Sequence, residues 1–179
     1  MDYSPGLRGV VEGETAISTV GMEGTSLRYR GYDAIELTKN STYEAVASLV
    51  INDSLDEADY KKSFSKYYLQ ISKDKNLNQL LEEVKEKLSP MDVIRTVVSY
   101  MGELTTLMKK KLDNQDKVEL TARINATVCY IIASYHKDDC DELDDSYLVA
   151  SSMLPNNANK EKIEALDDML ILYAEHGFN

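Results

Sequence analysis

The side chains with the most chemistry in this 179-residue chain are two histidines, two cysteines and one lysine run. His176 stands between Glu175 and Gly177, is followed by Phe178 and Asn179, and comes directly after an apolar helical run. Polar groups at a helix terminus often face a cleft, and an imidazole there can donate or accept a hydrogen bond near neutral pH. His136 opens an acidic segment, 136–145, that also holds Asp138, Cys140 and Asp141. Calcium requires an oxygen cage with a glycine bend, and zinc a Cys/His spacing that this segment lacks. It is read as a solvated acidic loop, and no metal site is expected. Cys129 lies inside an apolar helical run with no base nearby in sequence, the setting of a buried structural thiol. Neither a GxGxxG nor a P-loop pattern occurs. Lys109, Lys110 and Lys111 are read as charges that complement the end of a helix.

Composition limits what can position these groups. Lys and Arg number 20 against 31 Asp and Glu, a formal net charge of −11. A free-standing nucleic-acid binder needs a basic face, so that class is disfavoured. The longest apolar stretch, 126–135, is far short of a membrane span. A hydrophobic share of 43% suits a packed core and not a disordered chain. Three Pro and eight Gly among many Leu, Lys and Glu favour helices. The first residues have neither a basic start nor an apolar stretch, so no signal peptide is read and the cytoplasm is the expected compartment. Two cysteines make no disulfide framework, and the triplets at Asn40 and Asn125 are read as chance matches to the glycosylation pattern.

The expected architecture is mostly α, with a short N-terminal β-ribbon over 1–32 and helices over 33–179. Residues 14–20 and 26–31 alternate like strands, with 21–24 as a turn. Asp33 can cap a short helix with Ile35 and Leu37. Ser41 and Glu44 have the spacing of a capping box ahead of Val46, Leu49 and Val50. Asp56 opens a helix through Tyr60, Phe64, Tyr67 and Tyr68. Leu77, Leu80, Leu81, Val84 and Leu88 make a helical stripe. Ser89-Pro90 starts another helix, with Val93, Val97 and Met101 on one side. The next runs from about 116 to about 137. Its second half has almost no polar face, which calls for cover on every side and points to a helix–helix interface. A last helix, from about 158 to about 173, is lined by Ile163, Leu166, Leu170 and Leu172.

Four segments, in order, carry a family resemblance. Leu172-Tyr173-Ala174-Glu175-His176-Gly177-Phe178-Asn179 resembles the LYAEHEFN or LHADHEFN segment of the citrate synthase family. Gly6-Leu7-Arg8-Gly9-Val10-Val11 with Thr15-Ala16-Ile17-Ser18-Thr19-Val20-Gly21 resembles its N-terminal stretch. Leu27-Arg28-Tyr29-Arg30-Gly31-Tyr32-Asp33 resembles LTYRGYDI, and Pro90-Met91-Asp92-Val93-Ile94-Arg95-Thr96 with Val98-Ser99 resembles PMDVxRT-x-VS. Tyr173 and the Pro90 segment favour the 2-methylcitrate synthase branch.

The resemblance implies a partial citrate synthase-like helical large domain over 33–179, as the N-terminal half of the family's chain. It implies a reaction that joins acetyl-CoA or propionyl-CoA to oxaloacetate, with acyl-CoA as co-substrate and no prosthetic group. His176 takes the place of the histidine that binds oxaloacetate, and Asn179 that of the asparagine ending its segment. The family's further histidines, its catalytic Asp and most carboxylate-binding arginines lie in segments that this sequence lacks. The chemistry uses three histidines, and the chain has His136 and His176 alone. Catalytic residues are therefore assigned to none of its positions, nor are its five arginines assigned to substrate. Gly177 replaces the family's Glu, which removes a carboxylate beside His176 or ends the last helix in a left-handed turn. The expected partner is a second copy or a complementary C-terminal chain, met through helices over 90–137. Two readings follow: an enzyme part that is inactive alone, or a non-catalytic paralogue that pairs with a full-length synthase.

Overall fold

The computed structural model describes residues 13–20, 26–101, 111–137 and 143–177. Three two-residue strands, β1 (Ser18–Thr19), β2 (Arg28–Tyr29) and β3 (Tyr32–Asp33), form an antiparallel sheet in that order. Ser18 pairs with Tyr29, and Tyr29 with Tyr32. Arg30 (φ 49°) and Gly31 (φ 90°) make the β2–β3 turn. Two successive positive φ values are what a tight hairpin of matching twist requires, and glycine takes the second without strain. The Arg30 side chain is spent locally, donating to Val50 O at 3.0 Å.

Helices follow wherever a capping side chain meets an apolar period. Asp33 accepts from Ile35 N and Glu36 N and starts α1 (Ala34–Asn40). Thr42 caps α2 (Tyr43–Asn52), and α3 spans Ala58–Ser72. Asp74 caps α4 (Lys75–Val84), and Ser89 caps α5 (Pro90–Tyr100) with Pro90 in the first turn. Asp113 and Asp116 form a reciprocal capping box at α6 (Asn114–Ala133). The helix α7 (Leu148–Met153) has no side-chain cap of its own, and Asn159 caps α8 (Lys160–Leu172).

The main core lies between α3 and α6, the most extensively packed pair. Tyr60, Phe64 and Tyr68 recur every four residues along one face of α3, and all three are fully buried. Their rings stack at 6.4 and 5.8 Å, and Tyr130 of α6 meets Tyr68 edge-on at 5.6 Å. Asn125 Nδ2 donates to the hydroxyls of Tyr60 (2.7 Å) and Tyr43 (3.1 Å), and Tyr130 Oη donates to Asn78 Oδ1 (2.7 Å). A smaller apolar cluster joins Tyr29, Ala34, Leu37, Val46, Leu49 and Ile171 at the ribbon end.

Several expectations need correction. The strand runs shrink to two residues each, and Tyr32–Asp33 adds a third strand; the expected turn, 21–24, lies outside the described residues. The Ser41–Glu44 box does not form. Thr42 is the cap, and Glu44 is fully buried because it serves another helix. The helix read from 116 spans Asn114–Ala133. Its apolar half finds cover inside the chain: Ala126, Thr127, Cys129, Tyr130, Ile131 and Ala133 are buried against α2, α3, α5 and α7. Helix α7 was not foreseen; its six residues are too few to show a period. In α8 the buried apolar residue is Ile171, whereas Leu172 is 43% exposed. Lys111 is exposed and outside any helix; Lys109 and Lys110 lie outside the described residues. Among the described residues no helix is long and apolar enough to cross a membrane.

Candidate functional site

His176 follows α8 by four residues, and its side chain is exposed. Three contacts fix the backbone that carries it. Tyr29, fully buried on β2, donates from its hydroxyl to the shared acceptors Ile171 O (2.9 Å) and Leu172 O (3.1 Å). These carbonyls lie at the end of α8, where Ile171 O also accepts from Ala174 N. Burial pushes the Tyr29 phenol up, while the N–H groups of Glu175 and Ala174, directed at the same oxygen, pull it back. Glu175 Oε1 accepts from Gly177 N (2.6 Å) and from Ser18 Oγ of β1 (3.3 Å). The segment therefore hangs from both of the first two strands.

Gly177 has φ 88°, and a Cβ there would meet nothing within 4 Å. The backbone angle, not lack of room, is what favours glycine. It does not end the helix as one expectation had it. The helix ends at Leu172, where Tyr173 N and Ala174 N bond back to Met169 O and Ile171 O. Phe178 and Asn179 lie outside the described residues, so Asn179 has no described position. His136 sits exposed in the turn that ends α6, with its N–H on Ala133 O.

The described arginines are engaged near where they stand. Arg28 Nη1 donates to Gly31 O, Arg95 pairs with Asp92, and Arg123 lies over the Tyr67 ring. Cys129 is 3% exposed, and burial pushes its thiol up to about 12, so it carries almost no thiolate near neutrality. Among the described residues no group of three His, Cys, Asp or Glu could hold a metal. The acidic segment is described at His136–Lys137 and from Leu143; 138–142 lie outside.

The roles of two buried carboxylates were missed in the sequence: Asp167 was not singled out, and Glu44 was read as half of a local box. Asp167 of α8 accepts from Tyr43 N with both oxygens (3.1 and 3.2 Å), at the start of α2. It borders a cleft of about 460 Å³ lined also by Thr38, Asn40, Thr42, Tyr147 and Glu164. Burial pushes its carboxyl up to about 7, against the opposing Tyr43 N–H and reinforced by Glu44 and Asp168. Glu44 of α2 accepts from Val149 N of α7 (2.7 Å), and burial pushes its carboxyl up as well. Each carboxylate caps a helix remote from its own. A sequence signal did exist, since an acidic residue at an otherwise apolar helical position is unusual, but it does not name the partner.

A helical body with a small antiparallel ribbon, and one exposed histidine held at the ribbon's edge, defines the class that the comparisons then identify. The family model described as citrate synthase, C-terminal domain, matches residues 6–179. The chain belongs to the citrate synthase family. It is 35% identical to a 2-methylcitrate synthase of Shewanella oneidensis, covering 97% of this chain and 48% of that protein. It is 28% identical to a citrate synthase of Haloferax volcanii, covering 97% and 49%. The solved citrate synthase of Thermotoga maritima has the same fold, at a TM-score of 0.72 and 21% identity over 98% of this chain and 47% of that one. The chain spans about half the length of the curated relatives it matches.

Proposed function

We propose that this chain is the N-terminal half of a citrate or 2-methylcitrate synthase, supplying part of the oxaloacetate site through His176 and Asn179. The observation that carries the proposal is the family match over 6–179, which includes a histidine that is exposed yet held by backbone clamps on both sides. The reaction would condense oxaloacetate with acetyl-CoA or propionyl-CoA, acyl-CoA being a co-substrate and no prosthetic group being required. The relatives named 2-methylcitrate synthase favour propionyl-CoA and propionate metabolism over the tricarboxylic acid cycle. The reaction belongs in the cytoplasm.

These 179 residues alone are expected to be inactive, because general acid–base chemistry needs groups within hydrogen-bond reach of the reacting atoms. His136 and His176 are the chain's histidines, and the former sits in the turn after α6. The missing groups would come from a complementary chain or a second copy, met through helices over 90–137. On α5 and its approaches Leu88, Met91 and Tyr100 are exposed at 40%, 65% and 59%, which suits such an interface.

Purification from the native source, with intact-mass analysis of whatever co-elutes, tests this directly. A partner of similar size, and CoA release from propionyl-CoA and oxaloacetate only when both chains are present, is the expected result. CoA release by the pure chain would overturn the claim of inactivity. The same exposed apolar residues on and beside α5 favour a second reading, a non-catalytic paralogue bound to a full-length synthase. Co-elution with a complete synthase would select it.

A further inference from the structure

We propose that Tyr29 and Glu175 are positioning residues for His176, so that the β-ribbon is what aims the imidazole; only the identity of its ligand, an anionic 2-oxo dicarboxylate, rests on the reading above. An exposed side chain four residues past a helix end has no reason of its own to hold one direction, because helix ends fray and exposed rotamers are free. Here the backbone on both sides of it is tied. Ahead of it, the Tyr29 hydroxyl takes Ile171 O and Leu172 O, and its ring is fully buried among Leu37, Val46 and Leu49. A buried ring is a stiff post: its hydroxyl moves only if the small apolar cluster repacks. Behind it, Glu175 Oε1 closes a short loop onto Gly177 N and ties that loop to Ser18 Oγ. The positive φ of Gly177 lets the chain turn back toward the carboxylate. His176 is thus the free residue between two fixed points. The carboxylate beside it serves Gly177 N and Ser18 Oγ, and among the described residues none bonds the imidazole, whose nitrogens are left to an incoming ligand.

The test uses the whole 179-residue chain and proton NMR of the imidazole rings, where His136 is an internal reference. Three variants are compared: Tyr29→Phe, Glu175→Ala and Glu175→Gln. Tyr29→Phe and Glu175→Ala are expected to broaden or split the His176 ring signals and leave those of His136 in place. Glu175→Gln keeps an acceptor oxygen and is expected to restore a single sharp set. Unchanged His176 signals in both Tyr29→Phe and Glu175→Ala would overturn the proposal. Should Tyr29→Phe fail to fold, amide hydrogen exchange in the unmodified chain decides. Protection at Ala174, Glu175 and Gly177 comparable with that of α8 supports the clamps, and exchange at unstructured rates overturns them. Oxaloacetate is then titrated in. A shift of the His176 ring in the unmodified chain, weakened about tenfold in Tyr29→Phe, the scale of one lost hydrogen bond, extends the proposal to the ligand. If oxaloacetate moves nothing while the variants still disorder the ring, the ligand reading fails and the positioning role stands.

Discussion

Around α3 and α6, Tyr60, Phe64 and Tyr68 stack in a fully buried column and Val93, Val97, Ala122 and Ile131 fill the space around them. At the ribbon end of α8 the apolar cluster is smaller, and single polar contacts make the joints: Tyr29 on two carbonyls, Asp167 on Tyr43 N, Glu175 on Gly177 N. Apolar packing is non-directional, whereas one hydrogen bond fixes one atom against another. The body is therefore built for stability and the histidine end for placement. The same contrast makes that end respond to protons, since one of its joints, Asp167, is a carboxylate whose burial favours the neutral form.

Breaking the aromatic column should have the largest effect. Phe64→Ala is expected to cost about 3–5 kcal/mol in urea unfolding, because it removes a buried ring and leaves a cavity between stacked neighbours. A cost under about 1 kcal/mol would show that the column is not what holds the body.

Asp167 sharpens the polar side of the comparison. Its carboxyl rises from 3.8 to about 7, so the native state binds more protons than the unfolded chain in that interval. Stability from this group is then greatest below about pH 4 and declines as pH rises toward about 7. Asp167→Asn keeps an acceptor for Tyr43 N and is neutral at every pH. Relative to the unmodified chain it should gain on the order of 2 kcal/mol across that interval, a figure reduced for the water in the adjoining cleft. Thermal melts of both proteins across the range check it, and parallel profiles would refute it.

Glu44 separates acceptor from charge. Glu44→Ala strands Val149 N and is expected to cost about 1–3 kcal/mol, read by denaturant midpoint. Glu44→Gln should cost less, since it keeps the oxygen and removes the buried charge. Thr42→Ala, which removes the cap at Ala45 N and the hydroxyl's bond to Glu57, should cost about 1–2 kcal/mol. If it instead matched Phe64→Ala, the distinction between a packed body and a pinned end would collapse.

What the sequence reveals follows the same division. Periodicity and local caps need only near neighbours, so α1, α3, α4 and α5 are legible from Asp33, the Tyr60–Phe64–Tyr68 spacing, Leu77 with Leu81, and Ser89-Pro90. The family is legible because four ordered segments carry it, the last of them holding His176. What was missed is long-range. Glu44 looked like half of a local box because its real partner, Val149, is 105 positions away. Leu172 fitted the apolar period of α8, yet it is Ile171 that faces the Tyr29 cluster. No local pattern encodes which of two adjacent apolar residues meets a ribbon that precedes them by more than a hundred positions.

The remote caps also order events in time. Tyr43 N waits for Asp167, 124 residues later, and Tyr29 waits for Ile171, 142 residues later. At typical ribosomal speeds that first interval lasts roughly 6–25 s. A ten-residue helix such as α2 is marginal by itself, so during synthesis it stays only partly formed. The aromatic body between α3 and α6 can close before α8 leaves the ribosome, whereas the ribbon and the first turn of α2 settle last. For those seconds the nascent chain offers proteases and chaperones its ribbon, although the folded chain depends on that ribbon to hold the segment carrying its histidine.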